Sequence, residues 1–365
     1  MSHHPDPQNS AVPTGSTPRA SEAIPKEAIA QEAIPQEAIP KEAIPKEAIA
    51  GETAAAREHA GARPGWFARA LETPWEDRSV VIDGTPIHYL YWASPATDAE
   101  LAREKPGLVF VHGNGAHAHW WTFLAPFFLE HYRVAALDLS GAGDSGRRDR
   151  YAPEVFAAEV IGVAEDAGFG TDTVVVGHSF GGFVTLKTGL LYCDRLAGIV
   201  LVDSAVRPPD FKWERDPRRS PIKPKRVYET FEEALGRFRL MPPQDCRNRY
   251  ILDYIGRWSL TRVTDGWTWK FDDGLFRKMD FGIENMHEEL ARLRCRVGVI
   301  YGEDSYLFTQ DIADYMFRVL DESVPFVGIP DAQHHLFLDQ PLAFVSALRT
   351  LLAEWRHSRP NRVHV

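Results

Sequence analysis

The chain of 365 residues is long enough for one large domain or two modest ones, and its net charge of −10 argues against a nucleic-acid role, which needs a basic face. Its three cysteines are few, odd in number and far apart, as expected of reduced thiols, and no Cys or His cluster has the spacing of metal ligands. No apolar run could span a bilayer and the N-terminus lacks the apolar core of a signal peptide, so we expect a soluble, cytoplasmic protein without metal or cofactor.

Residues 1–62 are predicted to form a disordered tail. A unit of five residues, Glu-Ala-Ile-Pro-Lys/Gln, repeats over residues 22–52, with Ala30 and Ala50 in place of proline. A proline at every fifth position prevents a continuous helix, and the unit has too little apolar surface to offset its ordering entropy. We expect an extended spacer of polyproline-II character. The regularly spaced isoleucines leave a protein partner open as an alternative to a solvated tail.

Beyond the tail, strands alternate with helices. The Asp83-Gly84 pair separates two alternating runs and predicts a hairpin, and continuous apolar runs predict buried parallel strands. The predicted strands are Ser79–Asp83, Ile87–Trp92, Gly107–His112, Arg133–Asp138, Thr173–His178, Gly198–Asp203, Val297–Gly302 and Val324–Ile329. The predicted helices are a stretch around Trp120, then Tyr151–Ala167, Phe183–Tyr192, Thr309–Leu320 and Leu342–Trp355. This order predicts an α/β fold, with a mostly parallel eight-stranded sheet and helices on both faces.

Residues 206–295 interrupt this alternation. The segment contains charges, prolines and many aromatic residues, but no strand-like runs. Because it separates two parallel strands on their carboxyl side, we expect a helical cap over the strand ends. Residues 63–205 and 296–358 would then form the two parts of the core, and residues 359–365 a second tail. The basic stretch 207–226 is either a solvated loop or a site for an anionic group.

The pentapeptide Gly177-His178-Ser179-Phe180-Gly181 lies between a predicted strand and a predicted helix. A Gly-x-Ser-x-Gly turn in this position is typical of a nucleophile elbow, in which a strained serine stands at the carboxyl edge of the sheet. A serine hydroxyl needs an adjacent base to act as a nucleophile. His334 and His335 follow the last predicted strand and reach the same edge; His334 is preferred and His335 is the lesser candidate.

The base requires a carboxylate that orients it. Asp304 and Glu303 follow the strand Val297–Gly302, whereas Asp203 ends the strand Gly198–Asp203. Asp304 is preferred because it preserves the chain order serine, acid, histidine, and Asp203 and Glu303 remain alternatives.

Two backbone N–H groups should stabilise the oxyanion of a tetrahedral intermediate. Phe180 follows the serine and opens the helix, which supplies one donor. The loop His112-Gly113-Asn114-Gly115-Ala116 follows a predicted strand, and its glycines allow close approach to a substrate. The N–H of Asn114 is the expected second donor.

Residues 75–358 resemble the α/β-hydrolase superfamily. Four motifs carry the resemblance: Val111-His112-Gly113-Asn114-Gly115, Asp138-Leu139-Ser140-Gly141-Ala142-Gly143-Asp144-Ser145, Gly177-His178-Ser179-Phe180-Gly181-Gly182, and Ala332-Gln333-His334-His335-Leu336-Phe337-Leu338-Asp339-Gln340-Pro341. The resemblance implies a catalytic histidine seven residues before Pro341, which selects His334, and a loop-holding role for Asp144 and Ser145. One departure is that Ser305 occupies the usual position of the acid.

These features together predict a cofactor-independent serine hydrolase that cleaves a carboxylic ester. Aromatic residues in the cap and after the oxyanion loop favour a hydrophobic or aromatic substrate, with Trp120, Trp121, Trp258 and Trp267 as candidate pocket walls. Two alternatives stay open at this point. The same residues could hydrolyse a carbon–carbon or amide bond, or the chain could be a ligand-binding protein whose catalytic residues are idle.

Overall fold

The computed structural model describes residues 63–93, 105–211, 225–279 and 285–358. The predicted tails, including the pentapeptide repeat, and most of the basic stretch lie outside these residues. Among the described residues, no helix combines the length and the apolar character needed to cross a membrane.

An eight-stranded sheet forms the centre of the fold. Its strands are β1 Glu76–Ile82, β2 Thr85–Trp92, β3 Gly107–Val111, β4 Arg133–Leu137, β5 Val174–His178, β6 Gly198–Val202, β9 Arg296–Gly302 and β10 Phe326–Ile329. Their order across the sheet is β1-β2-β4-β3-β5-β6-β9-β10. Pairs β1–β2 and β2–β4 are antiparallel and the remaining pairs are parallel, so the predicted mostly parallel eight-stranded sheet is confirmed. A separate hairpin is formed by β7 Leu260–Val263 and β8 Gly266–Trp269.

Helices cover both faces of the sheet. They are α1 Gly65–Glu72, α2 Pro153–Asp166, α3 Phe180–Leu191, α4 Phe231–Gly236, α5 Arg249–Trp258, α6 Met286–Ala291, α7 Gln310–Val319, α8 Leu336–Asp339 and α9 Pro341–His357. Alternate residues of a strand point to opposite faces. Phe110 of β3 accordingly packs in the cluster that includes residues of α1 and α9, whereas Val109 packs in the cluster that includes residues of α2, α3 and α7.

The hairpin β1–β2 turns at Asp83 and Gly84, as predicted. Both residues have positive φ angles, 46° and 73°, which matches the turn geometry that suits the right-handed twist of a two-residue hairpin. The stretch around Trp120 differs from the predicted helix. It consists of two short 3₁₀ turns, Ala118–Trp121 and Ala125–Phe128, the second of which contains Pro126.

The segment between β6 and β9 contains strands as well as helices. The strands β7 and β8 form an antiparallel hairpin, so the expectation that this segment has no strand-like runs is wrong. The two strands have only four residues each and lie on either side of the turn residue Asp265. In addition, Asn248 donates a hydrogen bond from Nδ2 to the Leu338 carbonyl at 2.7 Å, and Asp272 N–H donates to the Gly141 carbonyl at 2.7 Å. The inserted segment therefore contacts helix α8 and the loop that follows β4.

Candidate active site

Ser179 lies at the turn between β5 and α3, in a conformation that non-glycine residues rarely adopt. Its φ and ψ angles are 55° and −118°. Hydrogen bonds and close packing of the neighbouring residues maintain this strained conformation. The N–H of Ser179 donates to the Val202 carbonyl at 2.9 Å, and its own carbonyl accepts from Gly182 N–H at 2.9 Å. At Gly181, a Cβ atom would lie 2.4 Å from the His112 carbonyl oxygen, so the turn has no room for a side chain there.

His334 contacts both Ser179 and a carboxylate. Its Nε2 lies 2.9 Å from Ser179 Oγ, and its Nδ1 lies 2.7 Å from Asp203 Oδ1. The imidazole follows β10, is almost fully buried and is separated from the serine by more than 150 residues in the chain. The histidine preferred from the sequence is thus the one that the fold brings to the serine.

The acid that contacts His334 is Asp203, which corrects the preference for Asp304. Asp203 follows β6, and its side chain is almost fully buried. Asp304 and Glu303 are exposed at the surface of the turn after β9. That turn directs Ser305 inward instead, and Ser305 donates a hydrogen bond from Oγ to Asp203 Oδ1 at 2.8 Å.

A further backbone donor fixes the Asp203 carboxylate. Gly302 N–H donates to Asp203 Oδ2 at 2.9 Å, so both carboxylate oxygens have partners. Because ionised carboxylates accept up to four hydrogen bonds, three donors around Asp203 suit its charged form. A carboxylate held in this way can orient an imidazole and stabilise its protonated form.

Two further histidines surround His334. His178 donates from Nε2 to the backbone carbonyl of His334 at 2.9 Å, which leaves its Nδ1 without a hydrogen-bond partner. His335 N–H donates to Gln244 Oε1 at 2.8 Å, and its buried ring has only a weak contact with the Pro242 carbonyl. Burial holds the pKa of both imidazoles well below the ordinary value. Neither ring is bonded to Ser179, so His335 is not the serine's partner in this structure.

The structure also brings one ring nitrogen each of His178, His334 and His335 within 4.8 Å of one another. Sequence spacing gave no indication of this cluster, because two of its members follow β10 and the third ends β5. Imidazole nitrogens are common ligands of transition metals, so these three residues are a set that could hold such an ion.

The loop after β3 lies beside the serine. A Cβ atom at Gly113 would be 3.4 Å from Ser179 Cβ, so this loop passes close to the hydroxyl. His112 anchors the loop, since Leu139 N–H donates to His112 Nε2 at 3.0 Å and His112 Nδ1 donates to the Gly113 carbonyl at 2.7 Å. Asn114 is partly buried next to this anchor. Phe180 opens α3 on the other side of the serine.

A buried ion pair between Asp138 and His88 lies next to the chain that follows the loop after β3. Asp138 accepts hydrogen bonds from Ala118 N–H at 2.6 Å and from His88 Nδ1 at 2.7 Å. Burial alone would lower the pKa of His88, but the Asp138 charge and hydrogen bonds to Asp138 and Asp77 outweigh burial and raise it to about 10. Ser145 Oγ donates to the Asp138 carbonyl at 2.6 Å, as expected of a loop-holding residue.

The four candidate tryptophans lie in different environments. Trp121 is fully buried and stacks on Phe110 with ring centroids 4.7 Å apart, so the expectation that it lines a pocket is wrong. Trp120 lies 5.4 Å from the ring of His335. Trp258 stacks on the ring of His119 at 3.5 Å, and Trp267 packs within the inserted segment. Trp120 thus contacts His335, the residue that follows His334.

Comparison with known proteins identifies related sequences and folds. A model of the alpha/beta hydrolase family matches residues 108–348, which is more than half of the chain. The chain is 24% identical over 271 residues to the pimeloyl-[acyl-carrier protein] methyl ester esterase of Aliivibrio fischeri, covering 72% of this chain and 97% of the relative. It is 25% identical over 273 residues to the (lyso)-N-acylphosphatidylethanolamine lipase of Bos taurus, covering 66% of this chain and 78% of the relative.

A solved structure has a similar fold. The esterase Rv0045c from Mycobacterium tuberculosis aligns with a TM-score of 0.59 and 21% sequence identity. The alignment covers 79% of this chain and 97% of the esterase chain. At this level of identity the match supports the fold rather than a substrate.

Proposed function

We propose that this chain, which belongs to the alpha/beta hydrolase family and is a hydrolase, cleaves carboxylic esters with Ser179 as nucleophile, His334 as base and Asp203 as the orienting acid. The observation that carries the proposal is the chain of hydrogen bonds from Ser179 through His334 to Asp203, at 2.9 and 2.7 Å. Relatives named as esterases and lipases support ester cleavage as the reaction.

In the first half of the reaction, Ser179 Oγ attacks the carbonyl carbon of the ester while its proton passes to His334 Nε2. Asp203 stabilises the imidazolium that results through its contact with Nδ1. The carbonyl oxygen becomes an oxyanion, for which the N–H groups of Asn114 and Phe180 are the proposed donors. When the tetrahedral intermediate collapses, the bond to the alcohol breaks and His334 gives its proton to the departing alkoxide.

In the second half, water attacks the acyl carbon of the Ser179 ester. His334 Nε2 accepts a proton from the water, and the same N–H donors stabilise the second oxyanion. Collapse releases the carboxylic acid and returns the proton to Ser179 Oγ. No external electron donor or acceptor is required, because every bond change is balanced by proton transfer through His334.

A hydrophobic acyl or aromatic group is the proposed substrate feature. The indole of Trp120 is almost fully buried and lies close to His335. The ring centroid of His335 is 4.9 Å from that of His334. Apolar walls with few polar groups are typical of small-molecule sites. Trp258 and Trp267 of the inserted segment remain candidate contacts for the more distant part of the substrate.

Labelling with a fluorophosphonate probe tests the nucleophile. The full-length protein should form a covalent adduct on Ser179, because an activated serine attacks the phosphorus centre. The Ser179→Ala variant should not be labelled, whereas Ser204→Ala, which changes the neighbouring serine after β6, should still react. Absence of labelling in the wild type, or equal labelling of Ser179→Ala, would contradict the proposal.

The same preparations can be assayed on p-nitrophenyl esters of increasing acyl length. Preference for longer or aromatic acyl groups, reduced in Trp120→Ala, is expected. Labelling without turnover of any ester would instead favour a carbon–carbon or amide bond as the target. Tight ligand binding with neither labelling nor turnover would favour an idle ligand-binding protein.

A further inference from the structure

We propose that His178, His334 and His335, here termed the tri-histidine cluster, bind a divalent transition-metal ion of the zinc type, and that the bound ion blocks hydrolysis at Ser179. The binding step is independent of the reaction, whereas the block rests on the proposed function.

The three imidazoles converge on one small volume. Their ring centroids lie 4.8 Å apart for His178 and His334, 5.3 Å for His178 and His335, and 4.9 Å for His334 and His335. Zinc–nitrogen bonds are about 2.0–2.1 Å, so two nitrogens on one ion are at most about 4 Å apart. Because one nitrogen from each ring already lies within 4.8 Å of the others, small ring rotations are enough to close the set around an ion.

Two of the rings have coordination capacity that the protein does not use. The Nδ1 atom of His178 has no hydrogen-bond partner, and the ring of His335, whose nitrogens are both buried, has only a weak contact with the Pro242 carbonyl. An unpaired buried polar atom is costly, because it loses its hydrogen bonds to water and gains none in return. A Cβ atom at Gly113 would lie 2.9 Å from His178 Nδ1, so a larger residue at this position would press against that nitrogen.

The third ring links the ion to the reaction. Both nitrogens of His334 are engaged, Nε2 with Ser179 and Nδ1 with Asp203. An ion on Nε2 removes the base from the serine, and an ion on Nδ1 removes the orienting carboxylate from the base. Either mode prevents proton transfer, so metal binding at the tri-histidine cluster and hydrolysis exclude one another. Ser179, which contacts His334, is partly exposed, whereas the three rings are buried.

Cobalt is the probe for binding, because Co²⁺ bound by imidazoles absorbs visible light and Zn²⁺ does not. Full-length protein carrying His3→Gln and His4→Gln, which removes the adjacent histidines near the N-terminus, is titrated with Co²⁺. One equivalent should produce a ligand-field spectrum that excess Zn²⁺ abolishes. The spectrum should persist when Ser179→Ala is added to this background, since the serine is not a ligand.

Replacement of single histidines identifies the ligands. His335→Gln should weaken Co²⁺ binding by at least about tenfold, the effect that loss of even an outer-shell partner has. His178→Gln should do the same and serves as the second variant if either change impairs folding, which circular dichroism checks. His131→Gln, at a half-exposed histidine, is the matched control and should bind Co²⁺ like the background protein.

Inhibition is then measured as the ester hydrolysis rate with Zn²⁺ relative to each protein's own metal-free rate. The background protein should lose activity with Zn²⁺ and recover it with a chelator, and His335→Gln should need at least about tenfold more Zn²⁺. Co²⁺ affinity equal in the background protein, His335→Gln and His178→Gln would overturn the metal site, even in an active enzyme. A cobalt spectrum in a protein without hydrolytic activity would support the metal site and reject the proposed function.

Discussion

At the scale of single residues, the acid partner of His334 is defined by its hydrogen bonds. Asp203 accepts hydrogen bonds from His334, Ser305 and Gly302, so both of its carboxylate oxygens have donors. The residue itself has a positive φ angle of 45°, so the end of β6 is bent to present the carboxylate. Ser305, at the position where the resemblance implies the acid, instead donates a hydrogen bond to Asp203.

Replacement of Asp203 should therefore remove most of the activity. Asp203→Asn is expected to lower kcat roughly 10³- to 10⁴-fold, because an amide at this position cannot stabilise the imidazolium and favours the wrong tautomer of His334. The rate is measured on the best p-nitrophenyl ester, with thermal unfolding as the check on folding. Asp304→Asn, at an exposed carboxylate of the same type, should stay within about twofold of the wild type. The reverse pattern would restore Asp304 as the acid.

The sequence predicts the serine and the histidine because each lies within a local motif. The acid could not be predicted as securely, since β6 and β9 end at the same edge of the sheet and either strand can supply a carboxylate. Which one does so depends on the turn after β9, where Ser305 points inward and Asp304 outward. The tri-histidine cluster was unpredictable for a related reason: its members come together only through the pairing of distant strands.

At the scale of elements, the turn between β5 and α3 is the most constrained piece of the site. Strand and helix approach so closely that the backbone of Gly181 touches the end of β3, through the carbonyl groups of Val111 and His112. This contact couples the position of Ser179 to the loop that carries Asn114. The turn that holds the nucleophile and the loop of the second proposed oxyanion donor are thus packed against each other.

Gly181→Ala should displace this turn. The new methyl group would lie 2.4 Å from the His112 carbonyl oxygen and 2.6 Å from that of Val111, and backbone atoms cannot move aside as a side chain can. We expect the free energy of unfolding to fall by about 1–3 kcal/mol, as for other overpacked sites, with loss of fluorophosphonate labelling. Urea unfolding measures the first effect. Gly236→Ala, where no atom lies within 4 Å of the added carbon, is the control and should match or exceed wild-type stability.

The elements of the core follow from the sequence more closely than those of the insertion. Continuous apolar runs such as Gly107–Val111 are buried on both faces, as expected of central strands in a parallel sheet. The hairpin of β7 and β8 was missed because its strands are short and only partly buried, although Asp265-Gly266, where the turn leads into β8, is a turn signal. The 3₁₀ turns near Trp120 differ from a helix because packing against the sheet, rather than helical periodicity, fixes their aromatic residues.

At the scale of the whole molecule, the sheet separates two apolar clusters, and a buried ion pair connects the first hairpin to the site loops. His88 of β2 pairs with Asp138 after β4, and Asp138 also holds the N–H of Ala118. Breaking a buried pair by removing one partner is strongly destabilising, because the other charge remains buried. The stability of the molecule and the shape of the loop beside Ser179 therefore depend on the same carboxylate.

The stability of the protein should fall in alkaline solution through His88. Its pKa is raised in the folded state to about 10, so its contribution is fully present below the unfolded value near 6.5 and is lost as the pH rises through about 10. His88→Gln should lower the free energy of unfolding by about 3–5 kcal/mol near pH 6, and the difference from the wild type should shrink towards pH 10. Urea unfolding at pH 6, 8 and 10 tests this; a difference that stays constant with pH would contradict it.

The residues that follow Asp203 connect the end of β6 to the inserted segment. Asp203 is followed directly by Ser204, Ala205 and Val206, which are buried, and Val206 N–H contacts the sulfur of Met316 at 3.3 Å before the chain leaves the core. A chimera that exchanges the insertion for that of a relative should consequently be joined after Val206. A junction placed at the strand end would replace these three buried residues with foreign sequence. The backbone that follows Asp203 would then lose its packing in the core, and the position of the carboxylate would no longer be fixed.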